Sequence, residues 1–189
     1  CAYWNQLTQI QFLRNDVQGA ITSSEYALAI NPNDEEALLN KANGLFSLDN
    51  FVESLKYYQQ YRQTCHHVDF SIIDVTIGHL YLILGHPKEA LDFYFQSITE
   101  SENKDQALIN VAISIFDNGY FELTYRILIN YLPNAAKDWT EGFAYLARCC
   151  YELKKTEEYK QFLQIAIERN PRECQDVLSD LYPPGTDIK

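Results

Sequence analysis

A chain of 189 residues with 47% hydrophobic side chains can bury a sizeable core, and no run of 18 apolar residues is present to span a membrane. The formal net charge of −11, from 15 basic and 26 acidic residues, produces a field that repels phosphate backbones. It argues against nucleic acid and favours a neutral or basic protein partner; the competing reading is a solvated acidic surface that aids solubility.

Taken in order, residues 1–14 read as a helix with Trp4, Leu7 and Ile10 at helical spacing. Asn15-Asp16 turn the chain, and residues 17–29 return antiparallel, ending at Asn31-Pro32. Asn33-Asp34-Glu35-Glu36 place acids at the start of a helix over 35–48, where they oppose its dipole. A second helix over 51–64 is aromatic, with Phe51, Tyr57, Tyr58 and Tyr61. Helices follow near 71–84 and 87–100, the latter with Pro87 in its first turn, where a missing N–H costs nothing. Further pairs lie near 105–118 and 121–132, stopped by Pro133, and near 140–153 and 156–169, closed by Asn170-Pro171. Residues 172–182 form a last amphipathic helix. Val177, Leu178 and Leu181 are expected to cover the preceding pair, with Glu173, Asp176 and Asp180 facing water. Pro183-Pro184-Gly185 break it and leave a tail over 183–189.

The chain repeats itself. Gly85-His86-Pro87-Lys88-Glu89-Ala90, with Tyr94 beyond, has counterparts at Asn15-Asp16-Val17, Asp49-Asn50-Phe51, Asn118-Gly119-Tyr120 and Lys154-Lys155-Thr156. Aligning these turns puts unit starts at Cys1, Glu35, Ser71, Asp105 and Thr140, spaced by 34, 36, 34 and 35 residues. Trp4, Leu7, Ala20, Ala27 and Pro32 in the first unit stand at consensus offsets. So do Gly78, Tyr81, Gly85, Ala90 and Tyr94 in the third, and Leu146, Ala147, Ala166 and Pro171 in the fifth. The eighth place is Thr8, Ala42, Gly78, Ala112 and Ala147, with Thr8 the departure; His66 replaces the closing proline of unit two, and Thr124 stands where alanine is usual. With two helices per unit, the pattern resembles the tetratricopeptide repeat (TPR).

The resemblance implies an all-α fold: a right-handed α-solenoid, or superhelix, of five TPR-like helix-turn-helix repeats plus a C-terminal capping helix. It would be a single repeat domain over 1–182, with repeats at about 1–34, 35–70, 71–104, 105–139 and 140–173 and the capping helix at 172–182. It also implies that the first helices line a concave groove. Its peptide-binding residues would be Asn5, Gln9, Phe12, Asn40, Asn43, Phe46, His79, Asn110 and Phe116. A run of side-chain amides can pair with the backbone of an extended peptide without reading its sequence, because each offers a donor and an acceptor. The neighbouring phenylalanines offer apolar anchor sites. The bland alternative is solvated amides with phenylalanines in the packing between repeats. The two-carboxylate clamp of chaperone-type members is not expected, since Ile72 and Thr76 occupy places that should be cationic.

Other chemistry is thin. Cys65-His66-His67 lacks the regular spacing of a structural zinc site and reads as a polar loop. Cys149-Cys150 are helical neighbours pointing about 100° apart, so packing is expected rather than a disulfide. No glycine-rich phosphate loop or HExxH motif occurs, and nothing supplies a nucleophile or oxyanion hole beside His79, so neither enzyme activity, a metal nor a cofactor is expected. Five irregularly spaced cysteines imply no disulfide framework and point to a reducing, cytoplasmic setting; the alternatives are a periplasmic protein or one lipid-anchored through Cys1. With no initiator Met, signal peptide or N-terminal capping segment, the chain reads as a fragment or processed product. The expected function is that of a protein–protein interaction scaffold or adaptor, binding a peptide segment or partner protein in the groove. The alternatives are a structural module that forms homo-oligomers, and a regulatory sensor array of a larger multidomain protein.

Overall fold

The computed structural model describes residues 1–65, 69–134 and 139–182. The chain divides into two compact units, Cys1–Glu102 and Asn103–Lys189. The first holds three helix pairs: α1 (Ala2–Leu13) with α2 (Val17–Ile30), α3 (Glu35–Ser47) with α4 (Phe51–Thr64), and α5 (Ser71–Ile83) with α6 (Pro87–Glu100). The second holds α7 (Lys104–Asp117) with α8 (Phe121–Tyr131) and α9 (Phe143–Glu152) with α10 (Thr156–Arg169), then α11 (Pro171–Leu178) and a short 3-10 turn, Ser179–Leu181. Among the described residues no strand occurs, and no helix is long and apolar enough to cross a membrane. His66 and His67 of the loop considered for metal, and the tail 183–189, lie outside the described residues.

The turn inside each pair has one construction. Asn15, Asp49, Gly85, Gly119 and Lys154 all sit at φ between 57° and 81°, at the fifteenth place of their units. The next residue's N–H then reaches back five residues, as in Asp16 to Gln11, Asn50 to Leu45, His86 to Tyr81, Tyr120 to Ile115 and Lys155 to Cys150. These are Schellman closures, which occupy helix-end carbonyls that would otherwise lack a partner. Glycine suits the left-handed residue best, and asparagine and aspartate tolerate it. Lys154 fits neither description. Lys154→Gly is therefore expected to raise stability by about 1 kcal/mol, read as a higher denaturant midpoint at unchanged m-value.

Small residues at the eighth place allow each hairpin to close. Ala42 and Ala147 are fully buried, and a Cβ on Gly78 would come within 2.5 Å of the Tyr94 ring. Thr8 fits because its hydroxyl donates to the Trp4 carbonyl at 2.9 Å, so no buried polar atom is wasted. Ser54 and Ser97 replace alanine on the second helices in the same way, donating to the Ala42 and Ser71 carbonyls at 2.9 and 2.8 Å. In α1 the residues turned inward are Asn5 and Thr8, whereas Ile10, expected on the apolar face, is 45% exposed.

In the first unit Ala42, Tyr58, Ile77 and Leu80 make one core cluster and Leu38, Tyr61 and Cys65 another. An ion pair between a half-buried arginine and a fully buried carboxylate joins α4 to α5, and Glu100 of α6 lies 3.6 Å from the same arginine. Asp74 is fully buried, and Arg62 grips it with Nε at 2.5 Å and a second guanidinium nitrogen at 3.1 Å, while lying over the Phe70 and Phe93 rings. In the second unit the core runs through Ile109, Leu128, Phe143, Leu146, Ala166, Cys174 and Leu178. Cys149 and Cys150 are free, fully buried thiols; burial pushes them up to about 12 and about 11 respectively, which makes them inert packing groups.

Two features of the second unit depart from the sequence reading. The fifth hairpin's first helix begins at Phe143, three residues later than expected, because Gly142 takes φ 83° and starts it. Glu173 does not face water. Its carboxylate accepts the N–H groups of Gly142, at 3.1 Å, and Ala144, at 3.3 Å, so that α11 caps the start of α9.

Candidate interaction surface

The expected amide row divides between the units. In the first unit α1 contributes Asn5, Gln9 and Phe12, α3 contributes Asn40, Asn43 and Phe46, and α5 contributes His79. Spacings of three and four keep each set on one helix face. Asn110 and Phe116 stand on α7 of the second unit.

The structure gives these side chains unequal freedom. Asn5 is buried, and its amide donates to Asp34 Oδ1 at 2.9 Å. The same oxygen caps α3 through the Ala37 N–H at 3.0 Å, so Asn5 braces a helix start. Gln9 is exposed and donates to Glu36 at 2.7 Å. Asn43 is exposed, and its carbonyl accepts the Tyr58 hydroxyl; that phenol is pushed up to about 12 by burial. Asn40 is half-buried, and its Nδ2 is a buried donor with no hydrogen-bond partner. Asn110 accepts from Gln106 at 3.1 Å.

The aromatic residues look two ways. The Phe12 ring reaches α3, where a Cβ on Gly44 would lie 3.5 Å from it. Phe46 meets Phe51 edge-on at 5.7 Å between centroids and His79 at 6.0 Å. Phe116 meets Phe121 at 5.3 Å and Tyr145 at 5.1 Å, both edge-on. All three phenylalanines are half-buried: each takes part in helix–helix packing and keeps an outer edge.

The second unit carries a cleft that the amide pattern does not reveal. Phe116, Asp117 and Phe121 line it from one side, Tyr145 and Arg148 from α9, and Asp176, Val177 and Asp180 from the C-terminal segment, around a volume of 460 Å³. Arg148 is the one cation of this lining, and it is already engaged with Asp180 and, at 2.8 Å, with Glu152. Burial works against its charge, but those two carboxylates hold it above its ordinary value, and Arg148 in turn holds Asp180 below the usual carboxylate range. Burial, followed by the charges of Glu173, Asp117, Asp176 and Glu141, pushes the Tyr145 phenol up to about 12. Tyr145 and Arg148 stand at the sixth and ninth places of their unit, where the repeat pattern points to the inner face. The contribution of α11 is tertiary and has no local signal.

No protein-family model and no curated protein matches the sequence. Solved structures do match the fold. A tetratricopeptide repeat protein from Parabacteroides merdae aligns at TM-score 0.72 and 17% identity, over 96% of this chain and 72% of that one. PilW, described as a widely conserved type IV pilus biogenesis factor, aligns at TM-score 0.68 and 17% identity over 99% and 95%. YrrB, described as a TPR protein with an unusual peptide-binding site, aligns at TM-score 0.60 and 13% identity over 95% and 91%. The chain has the all-α tetratricopeptide repeat fold.

Proposed function

We propose that this protein is an interaction scaffold whose first unit binds an extended segment of a partner protein along α1, α3 and α5, through Gln9, Asn40, Asn43 and His79. Stacked helical repeats characteristically present extended surfaces for partners. The observation that carries the reading is Asn40. A buried donor without a partner costs about 1–3 kcal/mol, and a turn of the half-buried Asn40 amide would present it to a peptide carbonyl laid against α3. Gln9 and the amide nitrogen of Asn43 extend the same polar row. Half-buried Phe12 and Phe46 supply apolar edges beside it.

The test separates binding from folding. Asn40→Ala removes an unsatisfied donor, so stability is expected to hold or to rise by up to about 1 kcal/mol. Binding of the partner, isolated by capture with the wild-type chain and then measured with purified proteins, is expected to weaken about tenfold in Gln9→Ala/Asn40→Ala. Unchanged affinity in that variant would sink the reading.

A second reading is favoured by one observation. Tyr3, Ile10 and Leu13 of α1 are 68%, 45% and 87% exposed, a row of large apolar side chains on one helix. Self-association through that face is the structural alternative. Light scattering of wild type against Leu13→Asp decides it: a dimer mass that falls to the monomer supports self-association, and a monomer throughout removes it.

A further inference from the structure

We propose that the 460 Å³ cleft of the second unit, between Phe116, Tyr145 and Asp176, is a binding site for an arginine side chain carried by a partner protein. The proposal rests on the interaction reading above and gives it a specific anchor. Its floor is aromatic, since Phe116 meets both Phe121 and Tyr145 edge-on. Its rim carries three carboxylates, Asp117, Asp176 and Asp180, against the single cation Arg148. Because Arg148 is engaged by Asp180 and Glu152, it does not neutralise the exposed Asp176 carboxylate on the rim.

An arginine fits this combination better than other side chains. Its guanidinium is planar, weakly hydrated and able to stack on rings while forking onto a carboxylate. An apolar anchor would use the rings and leave the rim carboxylates desolvated, and an acidic anchor would be repelled. The protein already forms this contact inside its first unit, where Arg62 forks onto Asp74 over Phe70 and Phe93. The net charge of −11 steers a basic segment towards the surface.

The experiment titrates the full 15N-labelled chain with N-acetylarginine methylamide, its neutral isostere N-acetylcitrulline methylamide, and the lysine analogue. The expected result is saturable shift changes at Tyr145 and Val177 with the arginine probe, and citrulline weaker by about tenfold. Asp176→Asn, an exposed position, is expected to bring arginine down to the citrulline level with an unchanged melting temperature. Citrulline bound as tightly as arginine, changes confined to other surfaces, or no saturable response would overturn the site. Lysine bound as tightly as arginine would overturn its assignment to a guanidinium. The probe is indifferent to α1 and α3, so Gln9→Ala/Asn40→Ala should bind it like wild type. Failure of the amide row therefore shows in partner affinity alone, and failure of this cleft in the arginine titration.

Discussion

Arg62→Leu is expected to destabilise the first unit by about 3–5 kcal/mol, because it strands a fully buried carboxylate. Asp74 has traded water for the two guanidinium contacts of Arg62 at 2.5 and 3.1 Å. Burial outweighs that partner and leaves the Asp74 carboxyl above its ordinary range; without Arg62 it rises further. A carboxyl raised in the folded state favours folding below its unfolded pKa and loses that contribution as pH rises through the folded value. The deficit of Arg62→Leu is therefore largest near neutral pH and shrinks as Asp74 takes up a proton in acid. Denaturant melts of both proteins at pH 7 and pH 4.5 read it directly. An apolar pair, Arg62→Met with Asp74→Leu, is expected to recover much of the loss, since a buried pair is costly to break and close to neutral to replace. Equal deficits at the two pH values would show that the lost contribution is packing of the Arg62 stem against Phe70 and Phe93 rather than its charge.

The fold was legible because each hairpin repeats a local constraint. Asn15, Asp49, Gly85 and Gly119 announce a left-handed turn residue by their chemistry, and the spacing between them places Lys154, whose chemistry does not. Small residues at the eighth place mark the closest approach of paired helices, and Thr8 keeps the spacing by bonding its own helix. The surface was legible only in part. Helical spacing assigns a residue to a face but says nothing of what its polar atoms bond. Asn5 and Asn43 share the expected face; Asp34 occupies the amide nitrogen of one and Tyr58 the carbonyl of the other. The buried Nδ2 of Asn40 lacks a partner, as does the buried Oδ1 of Asn5, and helical spacing announces neither. The cleft was the least legible feature, because Asp176 and Asp180 reach it through the packing of α11 on α9, between positions about thirty residues apart.

That packing depends on Glu173, and Glu173→Ala is expected to cost about 2–3 kcal/mol, for charge-assisted bonds to backbone groups that would then lack a partner. The Gly142 and Ala144 N–H groups at the start of α9 have no side-chain cap of their own, because Gly142 stands in the cap position. Glu173→Gln keeps an acceptor oxygen and is expected to lose less than half as much. The two forms differ with pH. Burial, only partly offset by the backbone bonds, raises the Glu173 carboxyl above the ordinary glutamate value. Its titration therefore stabilises the fold below the unfolded pKa and is lost as pH rises through the folded value. The stability of wild type relative to Glu173→Gln should accordingly fall between pH 4 and pH 7. A relative stability that climbs instead would mean that the backbone bonds outweigh burial. The functional consequence runs through the same contact. With Glu173 gone, α11 loses the tie of its first turn to the start of α9, while Arg148 still holds Asp180 and the Val177 carbonyl, so Asp176 is seated less firmly at the cleft. Glu173→Ala should then weaken arginine binding without any change in the residues that line the cleft, while Glu173→Gln, which keeps that tie, retains it.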